Sequence, residues 1–321
     1  MADALVVVAL DETRVVDAQR TFVVVNPSSA GGATRRRWPR IAARLRAVVG
    51  RFDVAFTRQP LDATRLTREA LQSRFRRIVA VGGDGTLNEV VCGYFEADRP
   101  IAADAAVGIL PCGTGKDFAR TLGATDLDAR LASLARASRL VDVGWARFTA
   151  HDGAPTERLF VNEISFGCSG RVTKAISPII KRASGALAFT LATLRTLLTY
   201  RDQPVSISLD AERARDHTIT NGAFCNGQFF GGGMRVAPAA RIDDGELDVT
   251  LWSGYRLLDF VTKRQALLSG AHVAEPGTLT FRARRATVTS TAPVLVELDG
   301  ESVGRLPLEV RVLPNALRLL A

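Results

Sequence analysis

Apolar and polar positions fall into two regimes along the chain. In the first, short apolar runs alternate with stretches of helical spacing. Thr21-Phe22-Val23-Val24-Val25 is a β-branched strand that stops at Asn26-Pro27-Ser28-Ser29-Ala30-Gly31-Gly32. Trp38, Ile41, Leu45 and Val48 share one face, which predicts a helix from Trp38 to Val49. A strand from Phe52 to Phe56 ends at Thr57, and a helix is expected from about Thr64 to Ser73. Ile78 to Val81 is a third strand, Leu87 to Phe95 a helix, Ala106 to Leu110 a fourth strand and Leu127 to Ser138 a helix. Strands and helices alternating at this interval predict a parallel sheet with binding loops at its carboxyl edge.

The second regime opens at Leu140-Val141-Asp142-Val143-Gly144. Short β-like runs then follow one another: Trp145 to Phe148, Leu159 to Ile164, Val205 to Leu209, Thr218 to Asn226, Leu247 to Trp252, Leu279 to Phe281, Ala286 to Thr289, Val294 to Leu298 and Leu308 to Val312. Their even spacing predicts a mainly antiparallel β domain, a sandwich or barrel. The boundary falls near residue 143, dividing an α/β domain over 1–143 from a β-rich domain over 144–313. One helical interruption, Arg171 to Tyr200, holds an uncharged window from Ala186 to Leu194 that is too short to span a bilayer. It reads as a core helix or as a lipid-facing surface carrying Lys174, Lys181 and Arg182. Residues 1–20 read as a short extra strand or a frayed arm; the run Leu5 to Leu10 lacks the basic leader of a signal peptide.

Composition sharpens this picture at two points. A chain of 321 residues suits two domains. Its net charge of +9 and pI near 10.1 bring nucleic acid and an anionic membrane surface into view as partners. Nearly all of that charge is arginine, since Lys116, Lys174, Lys181 and Lys263 are the only lysines. The arginines are scattered and lack aromatic interleaving, so no nucleic-acid partner is expected. Cys92, Cys112, Cys168 and Cys225 form no C-x-x-C pair, which argues against zinc or disulfides and for reduced, cytoplasmic thiols.

Three strand ends carry candidate chemistry. After Ile78 to Val81 comes Gly82-Gly83-Asp84-Gly85-Thr86-Leu87-Asn88-Glu89. Glycines there bring bare N–H groups close to a ligand, and the next helix aims its N-terminus at an anion. Asp84 in such a loop needs a cation or a donor, which magnesium carried by a nucleotide would supply. The Asn26 to Ser29 loop suits phosphate equally, although a plain turn has the same composition. Pro111-Cys112-Gly113-Thr114-Gly115-Lys116-Asp117-Phe118-Ala119-Arg120 looks at first like a P-loop, but Leu110 stands where Walker A needs glycine, and Asp117 where it needs Ser or Thr. It remains an anion loop with Gly113 and Thr114 at its tip.

The glycine loop resembles that shared by the diacylglycerol kinase-like lipid kinases and the NAD kinases. The segment at Gly113 is similar to the lipid-kinase pattern Gly-Thr-x-Asn-Asp-Phe-Ala-Arg, with Lys116 replacing the asparagine. Asn226-Gly227-Gln228-Phe229-Phe230-Gly231-Gly232-Gly233-Met234, Ala237-Pro238-Ala239-Ala240 and Ile242-Asp243-Asp244-Gly245-Glu246-Leu247-Asp248 resemble the second-domain signature of the lipid kinases, which NAD kinases lack. Val296-Glu297-Leu298-Asp299-Gly300-Glu301 resembles the family's Asp-Gly-Glu catalytic turn.

The resemblance implies an ATP- and Mg2+-dependent transfer of the γ-phosphoryl group to a lipid hydroxyl, with diacylglycerol or a related lipid as acceptor. Asp299, or Glu301 two residues on, would take the hydroxyl proton; standing alone, the turn reads as a hairpin of solvated acids. Asp84 would meet the nucleotide magnesium with Asp117 as helper. Gly82, Gly83, Gly85, Thr86, Asn88, Gly113, Thr114 and the loop Asn26, Pro27, Ser28 and Ser29 would hold phosphates and ribose, and Thr57 is a weaker candidate. Asp244 with the carbonyls of Arg241 and Glu246 would form a second, structural magnesium site, unless the segment is a plain acidic hairpin. The family pattern also has residues 314–321 completing the first domain. The expected protein is cytoplasmic and visits an anionic membrane; a homodimer stays open. The rivals are an NAD kinase and a non-catalytic basic protein that binds membrane or nucleic acid.

Overall fold

The computed structural model describes residues 20–175, 195–196 and 198–321. The arm expected over 1–20 lies outside them except for Arg20, as does the centre of the helix expected over 171–200. The described residues divide into two units, one of residues up to 113 with 124–140 and 316–321, the other of 114–123 with 141–315. The first is an α/β unit with parallel strands and the second is mainly antiparallel β.

In the first unit, β1 (Thr21–Val25), β2 (Phe52–Phe56), β3 (Arg77–Gly82) and β6 (Ala106–Pro111) lie in the order β6-β3-β1-β2, all parallel. Between β3 and β6, β4 (Phe95–Glu96) and β5 (Arg99–Pro100) form a two-stranded hairpin of their own. Val23 to Val25, Ile78 to Val81 and Val107 to Leu110 are continuous apolar runs because helices cover the sheet. α1 (Ala33–Val49) buries Ile41, Leu45 and Val49 against Val23, Val25, Val79 and Val81. It starts five residues before the expected Trp38, where left-handed Gly32 closes the preceding loop. α2 (Asp62–Gln72) packs on α3 (Asp84–Tyr94), the Ala63 N–H donating to Glu89 Oε2 at 3.1 Å and Thr64 Oγ1 to the Glu89 carbonyl at 2.9 Å. Residues 316–321 extend this sheet, Leu319 and Leu320 pairing in parallel with Val107 and Gly108.

α4 (Asp117–Thr121) belongs to the second unit, whereas α5 (Leu127–Ser133) belongs to the first. Asp126 caps α5 by accepting the Ala129 N–H at 2.8 Å. The second unit contains β7 (Arg139–Ala150), β8 (Pro155–Phe160), β9 (Glu163–Gly167), α6 (Cys168–Ala175), β10 (Gln203–Leu209), β11 (Arg215–Ile219), β12 (Asn221–Cys225) and β13 (Leu247–Trp252). α7 (Leu257–Thr262), α8 (Arg264–Ser269), β14 (Thr278–Ala283), β15 (Arg285–Thr289), β16 (Leu295–Leu298) and β17 (Glu301–Leu320), whose residues from 316 on belong to the first unit, follow. Strands run β14-β13-β12-β9-β16-β17, while β10 joins β11 to β15 and β15 pairs with β17. Phe148, Phe160, Phe166, Phe224, Leu298 and Leu308 belong to its core.

Two expected strands are each divided. The run from Leu159 to Ile164 breaks at Val161 and Asn162, whose N–H groups turn to Asp299, and that from Thr218 to Asn226 breaks at Thr220, whose side chain bonds Asp202. α7 and α8 lie where no helix is expected. Among the described residues, no helix is long and apolar enough to cross a membrane.

Candidate active site

In the first unit the loops expected to hold a nucleotide lie at the carboxyl ends of β1, β3 and β6. α3 begins at Asp84 itself, not at Leu87 as expected, so Asp84, Gly85 and Thr86 form the helix's first turn and Gly83 its cap. Asp84 and Gly85 are half-buried there while Thr86 is buried. A β-carbon on Gly82 would stand 2.3 Å from Thr86 Oγ1, so only glycine lets that hydroxyl fold back over the strand. Asn26 Nδ2 donates to the same hydroxyl at 3.1 Å, and the Asn26 backbone N–H donates to the Val81 carbonyl at 2.9 Å. Asn26 Oδ1 in turn accepts the Ser28 N–H at 3.0 Å, which curls Asn26-Pro27-Ser28-Ser29 over the end of β1. The Cys112 and Gly113 N–H groups both donate to the Gly82 carbonyl, at 2.7 and 3.1 Å, and lay Gly113 against Gly83.

Asn26, Gly82, Gly83, Thr86 and Gly113 therefore converge. Asn88 is buried and adjoins Cys92, whose Sγ is 3.7 Å from its Oδ1. Thr57 caps its strand through a backbone bond to Val25 at 2.9 Å. Thr114 and Asp117 lie in the second unit. There Asp117 Oδ1 accepts from Arg120 at 2.7 Å and Oδ2 from the Gly232 N–H at 2.9 Å, tying α4 to the Gly231-Gly232-Gly233 loop, all three of whose glycines have positive φ. Asp84 and Thr86 offer hard oxygens beside bare backbone, the donor type that suits magnesium held mainly by phosphate and water. Among the described residues no cluster of three His, Cys, Asp or Glu side chains could cage a metal unaided.

In the second unit the Asp-Gly-Glu turn joins β16 to β17. Asp299 is 6% exposed and takes positive φ, as does Gly300. Asp299 Oδ2 accepts the Val161 N–H at 2.9 Å, and Oδ1 accepts those of Asn162 and Glu163 at 3.0 and 2.9 Å. Its own N–H donates to the Glu163 carbonyl at 3.1 Å. Glu301 is more open and pairs with Arg158 Nη1 at 3.0 Å. Behind the turn lie Glu163 and Glu297, both buried, which sequence reasoning missed; Glu297 was visible only as part of the motif and Glu163 only as a polar position in an apolar run. Asn162 and Asn226 brace the same place, Asn226 Nδ2 donating to the carbonyls of Val161 at 2.7 Å and Asp142 at 3.0 Å.

The segment Arg241 to Glu246 wraps around Asp142, which accepts the Gly245 and Asn315 N–H groups, each at 2.7 Å. Burial pushes the Asp142 carboxyl up against those two bonds. Asp244 pairs with Arg282, which also reaches Glu246 at 3.0 Å. The oxygen donors suit magnesium in type, but Arg282 already occupies the Asp244 carboxylate. A separate cavity of about 560 Å³ in this unit is lined by Gly167, Tyr200, Val294 and Leu295, with Arg171 and Lys174 beside them.

Residues 20–146 match the family described as the diacylglycerol kinase catalytic domain, and residues 162–321 the YegS C-terminal NAD kinase beta sandwich-like domain. A protein of Pseudomonas aeruginosa (strain UCBPP-PA14) described as "Probable lipid kinase YegS-like" is 32% identical over 306 residues, 95% of either chain. The diacylglycerol kinase of Bacillus subtilis (strain 168) is 28% identical over 296 residues, 90% of this chain and 92% of that one. The structure of a diacylglycerol kinase from Bacillus anthracis str. Sterne shares the fold with a TM-score of 0.68 at 23% identity, covering 94% of this chain and 96% of that one.

Proposed function

The chain belongs to the diacylglycerol kinase-like lipid kinases, and from that premise we propose that it transfers the γ-phosphoryl group of ATP to a hydroxyl of diacylglycerol or a related lipid. The observation that carries the nucleotide half is the first turn of α3, where Asp84 and Thr86 stand beside the glycine backbone of β3 and β6. Gly82, Gly83, Gly85 and Gly113 would hold phosphates through main-chain N–H groups, with Asn26, Pro27, Ser28, Ser29, Thr57 and Asn88 around phosphate and ribose. Asp84 would hold magnesium, and the ion when bound would neutralise charge on the transferred phosphate.

Asp299 is the proposed proton acceptor, with Glu301 as the alternative. The acceptor hydroxyl oxygen forms a bond to the γ-phosphorus and its proton passes to the carboxylate. The bond from γ-phosphorus to the bridging oxygen breaks, and ADP leaves with that electron pair. Three N–H donors fix the Asp299 carboxylate in place; they favour its charged form, so they orient the acceptor at the expense of some of its basicity. Asp117, with both oxygens engaged by Arg120 and Gly232, would act by shaping its loop. A structural magnesium at Arg241, Asp244 and Glu246 would have to displace Arg282 from Asp244.

The cavity lined by Tyr200, Val294 and Leu295 suits the hydrocarbon of a lipid, with Arg171 and Lys174 near its polar end. Leu258 and Val261 of α7 are 71% and 59% exposed, and Arg256 and Arg264 flank that helix, which suits transient contact with an anionic bilayer. The test is transfer of radiolabelled phosphate from ATP–magnesium to a panel of lipids in mixed micelles, with NAD as a soluble control. Label in one lipid class supports the proposal and names the acceptor; label in NAD alone refutes it.

A further inference from the structure

Glu163 on β9 and Glu297 on β16 are 1% and 3% exposed and lie diagonally on one face of the paired strands, close enough for each carboxyl to act on the other. No basic side chain pairs with either among the described residues. Around them stand Cys225, opposite Glu163 on β12, Ser165, opposite Glu297 on β9, and the Asp299 turn. Two buried carboxylates in contact cannot both be ionised without a counter-ion, so the pair must share a proton. The partners say where it sits. Glu297 accepts from Ser165 Oγ at 2.5 Å and from the Gly300 N–H, so it is the acceptor. The Ser165 hydroxyl also bears on Glu163, but among the described residues no main-chain N–H reaches that carboxyl, and its Oε2 has no hydrogen-bond partner. Burial and the neighbouring Glu297 both push the Glu163 carboxyl well above the usual carboxylate range.

The pair lies directly behind the turn. Glu297 grips Gly300 through its side chain, while Glu163 grips Asp299 twice through its main chain. Asp299 and Gly300 are consecutive left-handed residues, and Asp299 bears a side chain, so that geometry persists only while its surroundings enforce it. We infer that Glu163 and Glu297 form a one-proton clamp on the Asp299–Gly300–Glu301 turn, with Glu297 a positioning residue and Glu163 the partner that carries the proton. This rests on the kinase reading only for its effect on turnover. When the pair loses its proton, two charges face each other in the core and the grip on Gly300 loosens.

The experiment uses the full chain and two isosteric variants, with two readouts. By infrared spectroscopy near neutral pH, the wild type shows a protonated-carboxyl stretch that Glu163→Gln lacks. By turnover on the best lipid acceptor, kcat of the wild type falls at alkaline pH while KM for ATP holds. Glu163→Gln, whose amide donates to Glu297 at any pH, loses that alkaline limb. Glu297→Gln lowers kcat about 10- to 100-fold, as misplacement of a reacting group does, with KM for ATP changed less than about twofold. The clamp is overturned if the wild type has no such infrared band, or if both variants keep the wild-type pH profile. Should the wild type phosphorylate no lipid, the kinase reading fails while the infrared comparison still decides the clamp. Should Glu297→Gln not fold, Glu163→Gln decides alone.

Discussion

Gly83 and Gly113 meet backbone to backbone: a β-carbon on Gly113 would stand 2.5 Å from Gly83 Cα and 3.2 Å from its nitrogen. The strand ends of β3 and β6 approach that closely because two N–H groups after β6 share the Gly82 carbonyl. The result is a rigid ledge of main chain under the start of α3.

Gly113→Ala should therefore prise the ledge open. Neither neighbour is a flexible side chain, so the backbone itself has to move, at a cost of about 1–3 kcal/mol. Thermal unfolding and fluorescence titration with ATP–magnesium check it: stability and nucleotide affinity should fall together. Wild-type affinity in Gly113→Ala would show that nucleotide does not use this ledge.

Asp84→Asn should keep the fold, because Asp84 is half-buried on the first turn of a helix that glycine already caps. Turnover should drop more than about 100-fold, the scale on which a key electrostatic contact to transferring charge counts. Calorimetry with ATP in magnesium and in EDTA separates the roles. Wild-type protein should bind ATP more tightly with magnesium, and the variant should show little difference between the two.

Much of this unit is legible in the sequence for one physical reason. Strands covered by helices on both faces must be apolar throughout, so Val23 to Val25 and Ile78 to Val81 declare themselves. The start of α3 does not, because Gly82, Gly83 and Gly85 read as loop although Gly85 here is helical. α7 and α8 also escape: Leu258 and Val261 are exposed, so the apolar positions do not mark one buried face. In the second unit, Glu163 stands only as a polar position in an apolar run and Glu297 only as part of the turn motif, and nothing local marks either as buried. Only the return of the chain at Asp299, more than a hundred positions away from Glu163, reveals that they share the core.

The Asp299 turn needs two substitutions to separate chemistry from architecture. Asp299→Ala deprives three buried N–H groups of their acceptor, and each orphaned donor costs about 1–3 kcal/mol. Its loss of activity should therefore come with a lower unfolding midpoint. Glu301→Gln gives up only a half-exposed pair with Arg158, worth at most about 1 kcal/mol, and should unfold like the wild type. If Asp299 is the base, Glu301→Gln keeps turnover within about tenfold of wild type; if it loses more than about 100-fold while folded, Glu301 takes the proton.

His272, in the single turn over Ala271–Ala274, should make the second unit sensitive to acid. Its ring is fully buried, 5.5 Å from the Trp252 ring, and neither nitrogen makes a hydrogen bond of normal geometry. Burial lowers its pKa below 6.5, partly offset by the carbonyls of Ala266 and Val236. The folded chain thus prefers the neutral ring, while the unfolded chain takes up a proton near pH 6.5. Between those two pKa values the unfolded state binds more protons, so stability rises with pH there. The contribution is fully present above about pH 6.5 and is lost as pH falls through the folded value. His272→Phe removes the titration and keeps a ring among Trp252 and Leu267. In unfolding free energies measured by denaturant titration from about pH 7 down to about pH 5, the wild type should lose stability relative to His272→Phe as the pH falls, because only the wild type pays to keep its histidine neutral. Curves that run parallel over that range would mean the ring titrates alike in both states and its burial carries no acid penalty.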